Sequence, residues 1–189
     1  MAKYTVFESV NMGSTKYAER IFDAVAATDI ENGTFGYLNG LKVISGSNKE
    51  PNIYNFVAGT KSGLGAGDIV VVDNPAWSED SSKITNQRRD KYIIPAGTVF
   101  RVRVVKKNDE FGISAEGITA ASRTNLDVGA YLTIDSSTGK LVAATTADST
   151  PIMEAVVMRK RNSGNTLVTP LRNYGLSTVI YEAKISTLA

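Results

Sequence analysis

Hydrophobic and polar positions alternate with a period of two along much of this chain, and such alternation predicts β-strands. The signal is densest in residues 127–171. A strand at 130–134 is followed by the loop 136–139 and by a return strand at 140–144. Gly139 stands in that loop where a hairpin usually requires a positive φ. The stretch therefore predicts a β-hairpin.

A second hairpin is predicted directly afterwards. An apolar run at 152–160 leads into the turn 162–165, and a strand at 166–169 returns from it. A polar loop is expected between residue 38 and Pro51. Further strands are predicted at 3–10, 53–57, 69–72, 99–105, 111–114 and 177–188.

Short strands at this spacing, joined by polar turns, are typical of a small antiparallel β-barrel or sandwich built from hairpins. We therefore expect a single mainly β domain over residues 1–189. It should contain at most one or two short helices, and its terminal segments should be extended.

The segment 14–28 is ambiguous. Tyr17 and Ile21 belong to a set of apolar positions at helical spacing, and Ser14 could cap the helix. Residues 20–25 also alternate as a strand would. Because no other segment has a helical period, we predict a helix here and keep the strand as the alternative.

The alternation also assigns faces to the strands. One buried and one partly wet face is the usual pattern of an antiparallel sheet. Arg101 and Arg103 are expected to face outward. Six apolar side chains are expected to point into the core: Phe100, Val102, Val104, Leu132, Ile134 and Leu141.

Composition supports the β assignment and removes several kinds of chemistry. Val, Ile and Thr account for 50 of the 189 residues, and side chains branched at Cβ favour strands. The chain has no cysteine and no histidine, which excludes disulfides, thiolate metal sites and every mechanism based on histidine. A formal net charge of +2 is too small to predict nucleic-acid binding.

Three motifs have simpler explanations than binding or modification. The glycine-rich segment 63–68 precedes a strand, whereas a dinucleotide-binding loop must follow a strand and open a helix. The segment 32–34 fits an N-glycosylation pattern, but its Asn-Gly pair is explained as a turn. The basic residues 159–161 are interpreted as a solvated hairpin rim.

Neither a secretory nor a transmembrane segment is predicted. Residues 1–10 lack the apolar stretch of a signal peptide, and no run approaches the roughly 20 apolar residues that span a bilayer. We therefore expect a soluble protein that is made in a cytoplasm and stays there or leaves without a cleaved signal.

Two parts of the chain are candidate contact regions. The polar stretch 73–92 holds the only tryptophan, and Trp and Arg often anchor interfaces, although a solvated loop explains the stretch more simply. The ends, residues 1–12 and 176–189, could act as extended arms that pair with another subunit, or could close this chain's own sheet. The candidate contact residues are Tyr4, Phe7, Trp77, Arg88, Arg89 and Tyr181.

Five segments together carry a resemblance to a known class of protein. They are Ile30–Leu38, Asp68–Val72, Ile94–Thr98, Leu126–Asp135 and Thr138–Leu141. These segments resemble the small β-barrel proteins that decorate tailed-bacteriophage capsids, the head decoration or cement proteins.

The resemblance implies a virion structural protein that binds the outer surface of the head and bridges major capsid subunits, often as a trimer. It also implies that no catalytic residue, metal, cofactor, nucleic acid or membrane is involved. The protein would be made in the bacterial host cytoplasm and would act on the virion surface.

Two other functions stay open. A tail or baseplate β-module would have the same kind of scaffold. A carboxylate-based hydrolase of polysaccharides or cell walls would need a pair of acidic residues, and no spacing in the chain singles out such a pair. The candidates by residue type alone are Glu8, Glu31, Glu110, Glu116, Glu154 and Glu182.

Overall fold

A computed structural model of the chain describes residues 3–16, 20–65, 67–75, 89–162 and 178–188. These residues form eleven β-strands and short helical turns. The strands are β1 (Phe7–Asn11), β2 (Ile21–Val25), β3 (Phe35–Ser45), β4 (Asn48–Ala58), β5 (Ile69–Val72), β6 (Val99–Val104), β7 (Glu110–Ser114), β8 (Tyr131–Ile134), β9 (Leu141–Ala144), β10 (Met153–Asn162) and β11 (Val179–Leu188). The helical turns include α1 (Gly13–Lys16) and the 3-10 turns Arg89–Lys91, Ala115–Gly117 and Ala120–Asn125.

The strands form a closed barrel and an open sheet, which confirms the prediction of a mainly β fold that contains a barrel. Five strands close the barrel in the order β2-β4-β3-β5-β6, and β6 pairs with β2. Only the pair β2–β4 is parallel among these barrel pairs. The other six strands form an antiparallel sheet in the order β1-β7-β11-β10-β8-β9. The chain therefore starts in the sheet, builds the barrel and returns to the sheet.

The prediction of a helix over 14–28 is wrong. Only the single turn α1 forms at its start, and β2 occupies Ile21–Val25, as the alternative interpretation required. Ala24 is buried in the barrel while Asp23 is exposed, so the segment follows a period of two. Pairing with both β4 and β6 satisfies the backbone of β2, and this tertiary pairing outweighs local helix propensity.

Two hydrophobic cores lie on opposite sides of β5. Val70 and Val72 belong to the core inside the barrel. Ile69 and Val71 belong to the core between the barrel and the open sheet. All four residues of β5 are buried, which explains its uninterrupted apolar sequence. β5 is therefore a wall that both cores share.

Most of the predicted core is confirmed. The fully buried members are Phe100, Val102, Val104, Leu132 and Leu141. Ile134 is partly buried and packs against the core of the sheet.

Arg101 is partly exposed, but the expectation that Arg103 faces outward is wrong, because only 7% of its surface is exposed. Its Nε donates to Asp73 Oδ2 at 2.5 Å, and its Nη1 donates to the Ser14 carbonyl at 3.2 Å. The guanidinium is thus covered and paired.

The predicted β8–β9 hairpin is present, and Gly139 has a φ of +69°. The N–H of Phe35 in the barrel donates to the Gly139 carbonyl at 2.8 Å. Asp135 Oδ1 accepts hydrogen bonds of 2.7–3.0 Å from the backbone and hydroxyl groups of Ser137 and Thr138. These bonds shape the loop and hold it against the barrel wall.

The two ends of the chain occupy different positions in the sheet. β11 lies inside it, between β10 and β7, so residues 179–188 are not the free arm that was one expectation for 176–189. A strand is more stable in this central position than at an edge, because neighbouring strands satisfy its backbone hydrogen bonds on both sides. β1 is an edge strand that pairs with β7. The turn expected after residue 162 and the strand expected at 166–169 lie outside the described residues.

The other edge of the sheet, β9, is covered by the segment 115–125. The Ser122 hydroxyl accepts a hydrogen bond of 3.0 Å from the Ala143 N–H. The Asn125 side chain donates to the Ala143 carbonyl at 3.3 Å. Because a bare edge strand invites pairing with other chains, these bonds protect this side of the sheet.

Candidate interaction surfaces

The residues predicted to contact partners differ in accessibility. Phe7 is buried and stacks on Phe111 with 5.8 Å between ring centroids, so the structure places its side chain in the core and not on the surface. Tyr4 is half-buried, and its N–H donates to the Asp90 carbonyl at 2.9 Å. Tyr181 is half-buried and packs against the core of the sheet. Phe7 and Tyr181 therefore pack in or against the core of the sheet, whereas Tyr4 is joined through its backbone to the 3-10 turn Arg89–Lys91.

The other three predicted contact residues stay a prediction. Trp77 and Arg88 lie outside the described residues. Arg89 begins the 3-10 turn Arg89–Lys91, of which Asp90 is buried.

A cluster of four charged side chains crosses the face of the sheet opposite the core. Glu182 on β11 binds both Arg159 and Arg161 on β10, with 2.5 Å between Arg161 Nε and Glu182 Oε1. Arg161 also binds Glu8 on β1. The cluster thus ties β10 to the edge strand β1 across the two strands between them.

A bulge in β10 places the arginines on this face. Val157 pairs with Ala183 and Arg159 pairs with Glu182, so Met158 is an extra residue between the two pairs. If Met158 occupied a regular position in the ladder, it would pair with Glu182, and Arg159 would turn towards the core. The bulge therefore determines which side chains meet Glu182.

A glycine on β7 leaves room for the cluster. Gly112 stands between Glu8 and Glu182 in the strand register. A Cβ at this position would lie 2.7 Å from the Ile180 side chain. The strand between the two glutamates thus carries no side chain where the long Arg161 side chain crosses.

The cluster remains charged at neutral pH. Burial by itself raises the pKa of Glu182, but hydrogen bonds from Arg161 and Arg159, together with their charges, hold that pKa below its usual range. The hydrogen bond to Glu182 is the main reason that the pKa of Arg161 is raised. This mutual stabilisation suits a structural role.

Two exposed apolar side chains lie on neighbouring backbone segments, one on β10 and one on the turn before β8. Met158 is 60% exposed and Val128 is 53% exposed. The turn that carries Val128 runs along β10, because Gly129 N–H donates to the Val157 carbonyl at 2.8 Å. Met and exposed apolar residues are common in interfaces, so this is one candidate contact surface.

The β3–β4 hairpin reaches well beyond the barrel. β3 pairs with β5 through residues 35–37, and β4 pairs with β2 through residues 53–55. Residues 39–52 form a two-stranded extension, the hairpin arm, where the sequence pattern predicted a polar loop; that prediction is wrong. The alternation of Leu41 and Val43 before a Gly-Ser turn was the signal that could have revealed it.

A cavity of about 380 Å³ opens at the end of the barrel from which the hairpin arm projects. We call it the mouth cavity. Lys61 and Asp68 supply charge at its rim, and the Lys61 ammonium lies 4.6 Å from the centre of the Tyr37 ring. Its apolar lining consists of Phe22, Leu38, Tyr54, Leu64, Val70 and Val104.

A smaller cavity of about 160 Å³ lies between the N-terminal segment and residues 73–75. The polar groups around it satisfy one another: Asn32 Nδ2 donates to the Asn74 carbonyl at 2.9 Å, and Asn74 N–H donates to Asn32 Oδ1 at 2.8 Å. This reciprocal pairing indicates a structural junction.

Most of the candidate glutamates are held by structural contacts. No group of three or more Asp or Glu side chains there is placed to hold a metal ion. Five of the six candidate glutamates bind a cation or a backbone N–H in these contacts: Glu8, Glu31, Glu110, Glu154 and Glu182.

Comparisons with protein families, with curated proteins and with solved structures found no match to this chain. Among the described residues, no helix has the length and apolar character needed to cross a bilayer.

Proposed function

We propose that this chain is a virion structural protein of the capsid-decoration type, which binds the outer surface of a phage head and bridges major capsid subunits. The proposal begins with the five segments that resemble such proteins. These segments are separated in sequence by as many as a few dozen residues, yet residues 30–38 form hydrogen bonds with three of the other four segments.

Backbone hydrogen bonds join the segments to one another. These bonds are Gly33 N to the Val72 carbonyl at 2.8 Å, Ile30 N to the Ile94 carbonyl at 2.9 Å, and Phe35 N to the Gly139 carbonyl at 2.8 Å. The resemblance therefore falls on one connected structural unit. This observation carries the proposal, because isolated turns would resemble many β proteins.

The scaffold also suits a protein that binds a large surface. The barrel and the sheet share the wall formed by β5, which supports a rigid arrangement of the two. The edge strand β9 is covered, and the charged cluster ties the edge strand β1 to β10. Such a scaffold presents surfaces on loops and hairpins while its β9 edge stays covered.

Purified particles provide the test. We expect the protein in intact virions at a constant ratio to the major capsid protein, with antibody label over the head. Protein that is found only in lysate, outside particles, would overturn the proposal. Label confined to the tail would instead favour a tail or baseplate module.

The hydrolase alternative requires its own assay. Glu8 and Glu182 both bind arginine, and Glu31 accepts hydrogen bonds from the Thr5 backbone and hydroxyl groups at 2.8 and 2.7 Å. We expect no turnover on a panel of polysaccharides and cell-wall preparations. Hydrolysis that is lost on substitution of one of these glutamates by Gln would replace the structural proposal.

A further inference from the structure

The sequence contains two Asn-Gly pairs, and the fold places them in opposite environments. Asn32 and Gly33 lie before β3, whereas Asn39 and Gly40 lie on β3 at the base of the hairpin arm. Asparagine is a thermally labile residue, and a glycine after it leaves the next backbone nitrogen accessible because glycine has no Cβ. The two pairs therefore share their local chemistry and differ in their surroundings.

The first pair is held by hydrogen bonds. Only 9% of the Asn32 surface is exposed. The Asn32 side chain exchanges two bonds with Asn74, one of 2.9 Å from its Nδ2 to the carbonyl and one of 2.8 Å from the N–H to its Oδ1. The Gly33 N–H donates to the Val72 carbonyl at 2.8 Å. The Asn32 amide carbon and the Gly33 nitrogen cannot approach each other unless these bonds break.

The second pair lies in a bulge of β3. Between the paired residues Leu38 and Leu41, β3 advances three steps while β4 advances two. Asn39 and Gly40 are the residues that this shift takes out of regular pairing, and both are exposed. A Cβ at Gly40 would have no other heavy atom within 4 Å, and the Gly40 φ is +73°. The backbone and side chain therefore have room to rearrange here.

We propose that Asn39 is a site of spontaneous deamidation. The Gly40 backbone nitrogen loses its proton to hydroxide and attacks Cγ of the Asn39 amide. The new N–Cγ bond closes a succinimide ring, while the side-chain nitrogen takes a proton from water, leaves as ammonia and regenerates hydroxide. Water then opens the ring at either carbonyl, which gives aspartate or isoaspartate. The reaction consumes only water and involves no oxidation or reduction.

The product carries one more carboxylate at the base of the hairpin arm. The formal net charge of the chain falls by one, from +2 to +1. In the isoaspartate product the main chain also runs through the former side chain, which lengthens it by one methylene. This added length falls in the bulge, where β3 is already out of the regular ladder. The inference is independent of the proposed function, since it concerns the purified chain without any capsid.

Peptide mapping of aged protein measures both pairs at once. Trypsin cleaves after Arg20 and Lys42, so a single peptide, residues 21–42, carries both pairs. The folded full-length chain is kept in mildly alkaline buffer, and fragmentation of this peptide in a mass spectrometer locates each amide that has become an acid. We expect conversion at Asn39 to be about tenfold or more faster than at Asn32, because the hydrogen bond of Gly33 must break before attack. Methylation by an isoaspartyl methyltransferase identifies the isoaspartate product.

Two comparisons separate the effect of the fold from that of the sequence. In protein unfolded by guanidinium chloride, both pairs are solvated and should convert at similar rates. In the folded chain, Gly40→Ala should slow conversion at Asn39 and leave Asn32 unchanged, because a Cβ beside the attacking nitrogen hinders ring closure. Equal conversion of both pairs in the folded protein, an Asn39 amide that reacts only after unfolding, or a wild-type rate in Gly40→Ala would overturn the proposal.

Discussion

A side chain at position 139 would collide with the barrel. Gly139 has a φ of +69°, and a Cβ there would lie 2.1 Å from the Phe35 carbonyl oxygen and 2.9 Å from the Gly59 backbone nitrogen. Gly97 has a φ of +75° but open space around the same position. Substitutions at Gly97 and Gly139 therefore separate the energetic cost of backbone strain from the cost of a steric clash.

We expect Gly97→Ala to lower the free energy of unfolding by about 1–2 kcal/mol, the usual cost of a left-handed conformation for an alanine. Gly139→Ala has the same strain and must also displace the barrel backbone, so its loss should exceed that of Gly97→Ala by about 2 kcal/mol or more. Urea denaturation of both variants measures the difference. Equal losses would show that the hairpin loop can move away from the barrel.

Asp135 gives a second prediction for a single residue. Hydrogen bonds from the Ser137 hydroxyl and from the Thr138 backbone and hydroxyl lower the pKa of Asp135 to about 2. Since the folded pKa lies below the usual value of 3.8, the stabilisation is complete above about pH 4 and is lost as the pH falls towards 2.

Asp135→Asn keeps a side-chain oxygen at this position but removes the charge. We expect it to lower the free energy of unfolding at pH 7 by about 1 kcal/mol, a value reduced for solvent screening. The difference from the wild type should shrink between pH 4 and pH 2 in thermal denaturation. A difference that persists unchanged at pH 2 would mean that the charge is not its cause.

Sequence reasoning succeeded for residues whose environment is local. The φ of Gly139 follows from its own hairpin. Arg103 alternates with Val102, so the two side chains lie on opposite faces of β6. This pattern does not show whether another part of the chain covers the face of Arg103, and the residue was therefore assigned to the outside. Its burial depends on Asp73, a residue 30 positions away, and no local pattern contains that information.

At the scale of elements, the bulge in β10 controls the charged cluster. The bulge takes Met158 out of the regular ladder, so that both Arg159 and Arg161 lie on the face of Glu182. The Met158 side chain itself is mostly exposed. The structural contribution of position 158 therefore lies in its backbone.

Met158→Ala and the insertion of one alanine after residue 158 test this distinction. The alanine variant should change the free energy of unfolding by less than about 0.5 kcal/mol, as exposed substitutions usually do. The insertion should cost about 3 kcal/mol or more, because the bulge already holds one extra residue, and a second one turns Arg159 towards the core and leaves Glu182 without its partners. A mild effect of the insertion would show that β10 can accommodate a second extra residue.

One substitution tests how the segment 115–125 protects the edge strand β9. Ser122→Ala removes the acceptor of the Ala143 N–H, and an unpaired buried N–H costs about 1–3 kcal/mol. Thr124→Ala, on an exposed residue of the same 3-10 turn, is the matched control. Urea denaturation should show a loss for Ser122→Ala alone, and light scattering should show more aggregation of that variant.

Elements with a clear period of two were predicted well, and the failures occur where pairing is nonlocal. β6, β8 and β9 alternate strongly and appear close to their expected positions. β2 is held by β4 and β6, so its short and ambiguous pattern did not reveal a strand. Among the candidate surfaces, the bond between Arg161 and Glu8 joins residues 153 positions apart, which explains why sequence reasoning missed the cluster.

At the scale of the whole molecule, β5 joins two structures that are formed by different parts of the chain. The barrel is formed by β2 to β6, and the sheet combines β1 with β7 to β11. The sequence predicts the strands but not their division into a barrel and a sheet. An apolar run such as residues 69–72 does not indicate which core each side chain enters. The shared wall implies that neither core can lose its packing without exposing the other.

One cooperative unfolding transition is therefore expected for the whole chain. Phe100→Ala opens a cavity in the barrel core and Leu132→Ala opens one in the core of the sheet. Each should lower the free energy of unfolding by about 2–5 kcal/mol, whereas Val99→Ala, at an exposed position on β6, should change it by less than about 0.5 kcal/mol. Hydrogen exchange should show that each core variant lowers the protection of both β6 and β8, because β5 transmits the loss from either core to the other. If Phe100→Ala lowered protection in the barrel alone while β8 kept its wild-type value, the barrel and the sheet would be independent units and the shared wall would not couple them.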